Sequence, residues 1–359
     1  MNTNINNRVF KITPYQPGKP IEEVKREYKL KQVIKLASNE NPFPPSEKVL
    51  SAMEASLKDI NRYPDGDCFY LKKKLARSLG VDTKELVLGN GSDEILDIIA
   101  KAFLNPRENE IITSDVTFLE YKITGQISGV RVKEIPLRNF RYDLKAIKGA
   151  ITKKTKAIFI ANPNNPTGTY IKKAEFEDFL VSIPENIIVV YDEAYQEFVN
   201  EKDFPRGLKY YKEKNFITLK TFSKIYGLAG LRLGYAVTNE EFAEAMNRVR
   251  QPFNVNSIAQ TAALAVLDDK EFIKRTRETV WSGKKFLERE LDRLNIEYVP
   301  SVTNFILVNV KKDIFQPMLK LGVIVRPMDM YGLGSTIRVT VGTREENEKF
   351  ISVLKRVLS

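Results

Sequence analysis

The stretch "NFITLKTFSKIYGLAGLRLGYAVTN", residues 215–239, reads as an apolar strand, a tight glycine-bearing turn and a second apolar strand. Lys224 stands where the first strand ends, with Thr221 and Ser223 before it and Arg232 eight residues on. An ordinary lysine has a pKa of about 10.4 and lies in water on a solvated face. One held at a strand end among hydroxyls and an arginine needs a further reason, and that reason is sought in the rest of the chain.

The residue inventory narrows it. The 359 residues include no histidine and one cysteine, Cys68. This excludes serine–histidine and cysteine–histidine nucleophile pairs, an imidazole base, histidine-ligated metal, an intrachain disulfide and a thiolate cage. Proton transfer near neutral pH then falls to lysine, tyrosine, a carboxylate of shifted pKa, or a cofactor.

With 43% apolar residues, the chain is long enough for a large domain and a smaller one. No apolar run approaches a membrane span, and the opening "MNTNINNRVFK" is polar, so a soluble, cytoplasmic protein is expected. Net charge is +11, but 57 Lys and Arg are interspersed with 46 Asp and Glu. The tight basic run "LKKKLAR" (71–77) has helical spacing with Leu71 and Leu75 inward, which predicts a solvated helix face rather than a nucleic-acid patch.

Outward from residue 215, the same strand type recurs: "ELVLGN" (85–90), "NEIITSD" (109–115), "VRVKEIPL" (130–137), "KAIFIANP" (156–163) and "NIIVVYDEA" (186–194). Helix-like segments lie between most of them. In "SDEILDIIAKAFL" the residues Ile95, Ile98, Ile99 and Ala102 fall on one face. Continuous apolar strands alternating with helices predict an α/β fold with a mainly parallel sheet flanked by helices. Beyond about residue 255, two long helical stretches precede "TNFILVNV", "GVIVRPM" and "TIRVTVG", predicting a smaller α+β domain. The expected division is an N-terminal arm (1–35), a large domain (36–254) and a small C-terminal domain (255–359).

In open α/β sheets ligands bind beyond the carboxyl ends of the strands. "GNGSDE" follows the first strand, with Gly89 and Gly91 permitting close approach and Ser92 or Asp93 able to cap the next helix, whose free N–H groups suit an anion. Taken alone, a helix cap explains it. The pattern is no dinucleotide fingerprint, because Glu94 occupies the third glycine position, and no G-x-x-x-x-G-K-[ST] loop occurs. "NIIVVYDEAY" drives the carboxylate of Asp192 onto the end of an apolar run, at a cost unless a donor or cation meets it. "NPNNPTG" (162–168) is a rigid loop after another strand, carrying Asn165 as a side-chain donor.

Pyridoxal 5′-phosphate (PLP) needs all these parts: a lysine to condense with its aldehyde, a phosphate cradle, and an acid against its pyridine nitrogen. It also gives a chain without histidine its proton chemistry.

"NPNNPTG", "YDEAY" and "SKIYGLAGLRLGY", in this order, resemble the PLP-dependent aminotransferases of fold type I. "YQPGKPIEEV", "KLASNENPF", "RYPDG", "GNGSDE", "RQPFNVNSIAQ" and "IRVTVGTREEN" bring the likeness closest to the histidinol-phosphate aminotransferase branch, from about residue 14 to the C-terminus. The resemblance implies that Lys224 binds the cofactor aldehyde, Asp192 meets the pyridine nitrogen, and Tyr195 and Asn165 hold the ring's 3′ oxygen. It implies phosphate contacts from Gly91, Ser92, Asp93, Thr221, Ser223 and Arg232, with Tyr63 arriving from the second subunit of a homodimer. Phe118 would stack on the ring. Arg338, Arg326, Asn39 and the other chain's Tyr15 would hold substrate, and the implied pair is L-histidinol phosphate with 2-oxoglutarate.

Two positions depart from the family pattern, Val116 where proline is common and Phe118 where tyrosine is. Stacking needs only the aromatic face. An aromatic amino-acid aminotransferase and a threonine-phosphate decarboxylase share the scaffold and stay open as alternatives. A dehydrogenase fails on the missing fingerprint, and a DNA-binding regulator would need a further fused domain. No metal site is expected.

Overall fold

The computed structural model describes residues 8–14 and 16–359. All seven expected strands of the large region form one sheet, in the spatial order Leu86–Gly89, Gly234–Val237, Phe216–Thr221, Ile188–Asp192, Thr155–Ala161, Glu110–Ser114 and Arg131–Ile135. Gly234–Val237 runs antiparallel to both neighbours, and the remaining pairs are parallel. Six of the seven are buried almost throughout because helices cover both faces; the edge strand Arg131–Ile135 is exposed or half-exposed along its length.

Strand parity decides what each face carries. Ala157, Phe159, Ala161, Ile188, Val190, Ile217 and Leu219 join one apolar cluster with Ile95, Ile98 and Ile99 of the helix Gly91–Phe103. Ile158, Ile160, Val189, Tyr191 and Phe216 face the other way, onto a cluster that includes Leu71, Leu75 and Phe176. Extending the first row by two residues brings Asp192 and Thr221 to the same face as Ala161, at the carboxyl ends of three adjacent strands.

The C-terminal region builds a four-stranded antiparallel sheet, ordered Arg326–Pro327, Thr336–Thr340, Phe305–Asn309 and Glu297–Val299. Its core joins Phe305, Ile306 and Val339 to Val280, Leu287 and Leu291 of the helix Lys270–Arg293 and to Phe350 and Leu354 of the helix Arg344–Leu358. Glu297–Val299 escaped the sequence reading because its three residues are half-exposed at an edge. "GVIVRPM" forms two short strands: Val323–Ile324 pairs in parallel with Ile34–Lys35, and Arg326–Pro327 pairs with Thr336–Thr340. Beside them Val24 of the helix Ile21–Tyr28 packs with Ala37, Leu319 and Ile324.

The basic run departs from expectation. Leu71 and Leu75 are buried in the helix Phe69–Leu79, as the spacing requires, but the lysines between them are not uniformly solvated. Lys72 is buried and paired with Asp67 at 2.5 Å, and Lys74 Nζ donates to the Leu264 carbonyl at 2.8 Å. Long lysine stems can lie along apolar surface while the head finds a partner, which a residue count does not register. Among the described residues no helix is long and apolar enough to cross a membrane.

Leu36 is 1% exposed, and its backbone joins both ends of the chain: its N–H donates to the Ile324 carbonyl at 2.8 Å and its carbonyl accepts from Thr340 N–H at 2.9 Å. Leu36→Ala should lower unfolding free energy by about 2–5 kcal/mol in urea titration, the range for truncating a buried leucine. A change below about 1 kcal/mol would mean that this junction is not part of the core.

Candidate active site

Beyond the aligned strand ends lies a cavity of about 430 Å³. Its wall brings together Asn39, Ser92, Asp93, Phe118, Asn165, Asp192, Tyr195, Thr221, Ser223, Lys224, Arg232 and Arg338 from segments spread over 300 residues of sequence.

Asp192 is 5% exposed. Its Oδ2 accepts from the Tyr121 hydroxyl at 2.8 Å and its Oδ1 from the Ala194 N–H at 2.9 Å. Burial pushes the carboxyl up to about 6; the Tyr121 and Ala194 bonds and the Lys224 charge oppose that rise. Asp192 therefore does more than cap a turn: it is a desolvated acid with one edge held by a tyrosine. Tyr121 was missed in the sequence. It follows Phe118 by three residues at the start of the helix Glu120–Ser128, where it reads as an ordinary core aromatic, and its ring stands edge-on to Phe118 at 5.6 Å.

The helix Gly91–Phe103 begins beside the cavity. Asn90 is its N-cap and makes no side-chain cap, so neither Ser92 nor Asp93 caps the helix as the sequence suggested; both lie inside the first turn. Gly91 has φ of +81°, and a Cβ there would lie 2.5 Å from Arg232 Nη2. A Cβ on Gly234 would lie 2.5 Å from the Ser92 nitrogen. These two glycines let the helix start, the antiparallel strand and the arginine converge. Arg232 pairs with Asp93 at 2.9 Å, and the Ser223 N–H donates to Thr221 Oγ1 at 3.0 Å. Uncapped N–H groups, two hydroxyls and a guanidinium in one corner form a cradle for a phosphate.

Lys224, next in the chain after Ser223, also lines the cavity. Its Nζ donates to the Ser38 carbonyl at 3.3 Å and lies 5.7 Å from the centre of the Tyr195 ring. Asn41 Nδ2 donates to the carbonyls of Lys224 and Ile225 at 3.1 and 3.0 Å, fixing the backbone that carries the lysine. The Tyr195 hydroxyl accepts from Asn39 Nδ2 at 2.8 Å; burial raises its pKa to about 12, so it stays protonated and available as a donor. Asn39 itself is 1% exposed and is bound on its other sides by Thr340 and Asn304.

In the loop "NPNNPTG", Asn162 and Asn164 serve the loop itself: Asn162 Oδ1 accepts from Ile171 N–H at 2.8 Å and Asn164 Nδ2 donates to the Val116 carbonyl at 3.0 Å. Asn165 faces the cavity and accepts from Arg338 Nη1 at 2.5 Å. Arg338 also donates to the Ala37 carbonyl at 2.7 Å.

Three expected positions lie elsewhere. Arg326 is buried across the ladder from Arg338, with Nη2 3.2 Å from Met330 Sδ, and does not line the cavity. The strand pairing places it one step behind Arg338. Tyr63 is 81% exposed and stacked on Phe253 at 4.7 Å, away from its own chain's cavity. Tyr15 lies outside the described residues.

A buried acid, a strand-end lysine and a phosphate cradle on this mixed sheet define a fold type I PLP-dependent transferase. The chain belongs to the aminotransferase class I and II family, whose model matches residues 31–354. It is 47% identical to the histidinol-phosphate aminotransferase of Moorella thermoacetica, over 98% of this chain and 92% of that protein. The corresponding enzyme of Caldicellulosiruptor saccharolyticus is also 47% identical, over 97% and 98% of the two chains. Among solved structures, the Sinorhizobium meliloti histidinol-phosphate aminotransferase in complex with pyridoxal-5′-phosphate superposes with a TM-score of 0.91 at 26% identity, covering 100% of this chain and 98% of that one.

The carboxyl of Asp192 titrates near 6 in the folded protein and near 3.8 when unfolded. Between these values the folded state holds the proton more tightly, so this group's contribution to stability falls as pH rises from about 4 to about 6 and is level above. In the cofactor-free protein, the stability difference between wild type and Asp192→Asn should move toward the variant across that window in urea titrations. A difference that stays constant from pH 4 to 7 would contradict the raised acid.

Proposed function

We propose that this chain is a PLP-dependent aminotransferase that converts L-histidinol phosphate and 2-oxoglutarate to imidazole-acetol phosphate and L-glutamate, the reaction of histidine biosynthesis. The observation that carries the reading is the convergence of Lys224, Asp192, Tyr195 and Arg338 on one cavity, in a chain 47% identical to histidinol-phosphate aminotransferases over nearly its full length.

The cavity fits the cofactor by its donor set. Asp192 is a buried acid with no lysine or arginine in hydrogen-bond contact among the described residues to neutralise it, as a protonated pyridine nitrogen would. At the far end, the cradle of Ser92, Thr221, Ser223 and Arg232 suits a phosphate. When bound, PLP supplies an aldehyde that condenses with amines and a protonated ring that draws electrons from the carbon bearing the amine.

The chain's own groups then have distinct tasks. Asp192 would hold a proton at the pyridine nitrogen, its carboxylate oriented by the Tyr121 hydroxyl. The Tyr195 hydroxyl and the Asn165 amide would donate to the ring oxygen, and Phe118 would cover one face. Lys224 Nζ would take the proton from the donor's amine-bearing carbon, a role suited to an amine held beside the reacting carbon. Arg338, aimed by Asn165 and Ala37, binds the donor's phosphate in one half-reaction and a carboxylate of the acceptor in the other, because its planar fork matches two oxygens in either anion. Arg326 supports it from the neighbouring strand. The unit 36–254 would carry the cofactor, and the unit 255–359 would contribute the anion-binding arginine.

The active assembly is a cytoplasmic homodimer. Leu57, Ile60, Tyr63, Phe69 and Tyr70 are 49–81% exposed within one short stretch, and Phe253 lies against Tyr63. So dense an apolar surface supports a covered face, from which Tyr63 would complete the partner's phosphate cradle. The N-terminal segment carrying Tyr15 would reach the partner's substrate.

Lys224→Ala should abolish turnover while folded protein still binds cofactor through its phosphate; retention of more than about a tenth of wild-type turnover would remove the lysine from the chemistry. In single-turnover spectroscopy, histidinol phosphate should bleach the cofactor's visible band far faster than phenylalanine. The reverse order would make the protein an aromatic amino-acid aminotransferase, and carbon dioxide released from O-phosphothreonine would make it a decarboxylase. Mixing Lys224→Ala with an inactive Tyr63→Ala chain should restore some activity through heterodimers. No recovery after demonstrated subunit exchange would refute shared sites.

A further inference from the structure

Four acidic residues line the cavity: Glu40, Asp93, Glu120 and Asp192. Three have partners. Glu40 pairs with Lys35 at 2.9 Å, Asp93 with Arg232 at 2.9 Å, and Asp192 accepts from Tyr121 and Ala194. Glu120, the first residue of the helix Glu120–Ser128, is half-buried and has no hydrogen bond or ion pair among the described residues. The charges that face it, Asp93 and Asp97 on the neighbouring helix, are of its own sign, and burial together with these two raises its pKa.

An uncompensated carboxyl is out of place in a cavity that must take up phosphate and carboxylate groups. It repels both anions, and its desolvation is left without a return. Its presence is accounted for if part of the substrate brings a hydrogen-bond donor. In histidinol phosphate the phosphate goes to Arg338 and the amine to the Lys224 side of the cavity. The imidazole ring is the part left over, and it carries an N–H whether neutral or charged. Glu120 lines the cavity two residues after Phe118.

We propose that Glu120 accepts a hydrogen bond from an imidazole N–H of the amino donor and so selects an imidazole-bearing donor over one bearing a benzene ring. The inference rests on the histidinol-phosphate reading above and adds to it a residue outside the cofactor machinery. A benzene ring has no donor to offer, so phenylalanine would leave the carboxyl buried and unpaired. Sites built to hydrogen-bond a substrate reject analogues lacking the donor for this reason.

The test is stopped-flow kinetics of the two half-reactions in the holoenzyme, comparing wild type with Glu120→Gln and Glu120→Leu. With histidinol phosphate, the second-order rate of band loss should fall about a hundredfold in Glu120→Leu and by an intermediate factor in Glu120→Gln, whose amide oxygen still accepts. The glutamate half-reaction, which brings no ring, should change far less and serves as the control for folding and cofactor binding. Phenylalanine should gain on histidinol phosphate in Glu120→Leu.

Equal losses with histidinol phosphate and glutamate would overturn the proposal, as would an unchanged rate with histidinol phosphate. Dissociation of the dimer in Glu120→Leu with loss of both half-reactions would also overturn it, assigning Glu120 to the subunit interface. Wild-type protein that transaminates glutamate but ignores histidinol phosphate would refute the donor assignment itself, and this inference with it.

Discussion

The arrangement depends on one costly act, the burial of the Asp192 carboxyl at the end of an apolar strand. Two donors, Tyr121 and the Ala194 N–H, meet it, and burial still holds it near 6. Two hydrogen bonds offset only part of the loss of water around a carboxylate. A cationic ring nitrogen would supply the remainder, so the protein is most at ease when the cofactor is in place. The same strand parity that sends Ile188 and Val190 into the core sends Asp192 into the cavity, and its neighbours Ala161 and Thr221 follow the same rule.

A second constraint joins the two sheets. The segment 38–41 threads between them and is bound on both sides. Asn39 donates from its backbone to Thr340 and from its side chain to Tyr195, its carbonyl accepts from Asn304, and Asn41 anchors the Lys224 and Ile225 carbonyls. The Arg338–Asn165 bond completes the link from the small sheet to the cofactor-facing loop. Arg338, proposed above to bind the substrate anion, is thus already tied to Asn165. On the proposed assignment, binding of an anion at Arg338 would bear on the orientation of Asn165 through this bond.

Much of this was legible in the residues. The seven strands of the large sheet stood out because continuous β-branched runs between helical segments have few other uses, and the strand-end polar residues followed from the general position of ligands in such sheets. Their spatial order was not legible, because local patterns do not show which strands pair: Leu86–Gly89 pairs with the distant Gly234–Val237, and Glu110–Ser114 lies between Arg131–Ile135 and Thr155–Ala161. Lys72 was read as solvated because its partner Asp67 is a local ion pair that periodicity does not weigh. Ser92 and Asp93 looked like caps, but the cap position falls on Asn90 and the helix start is left open. Tyr121, which donates to Asp192, and Glu120, which lines the cavity, stand at the start of a short helix with no pattern to set them apart. Asn39, proposed to hold substrate on resemblance, adopts a φ of +54° and spends its side chain on Tyr195 and Thr340.

The central claim is that Asp192 holds a proton on the pyridine nitrogen of the cofactor. It is tested most directly by reconstituting the protein with PLP labelled with nitrogen-15 in the ring and measuring the ring-nitrogen chemical shift in wild type and in Asp192→Asn at neutral pH. The account predicts the shift of a protonated pyridinium in wild type and of a neutral pyridine in the variant, with cofactor bound in both. A neutral nitrogen in wild type, or the same shift in both proteins, would contradict it.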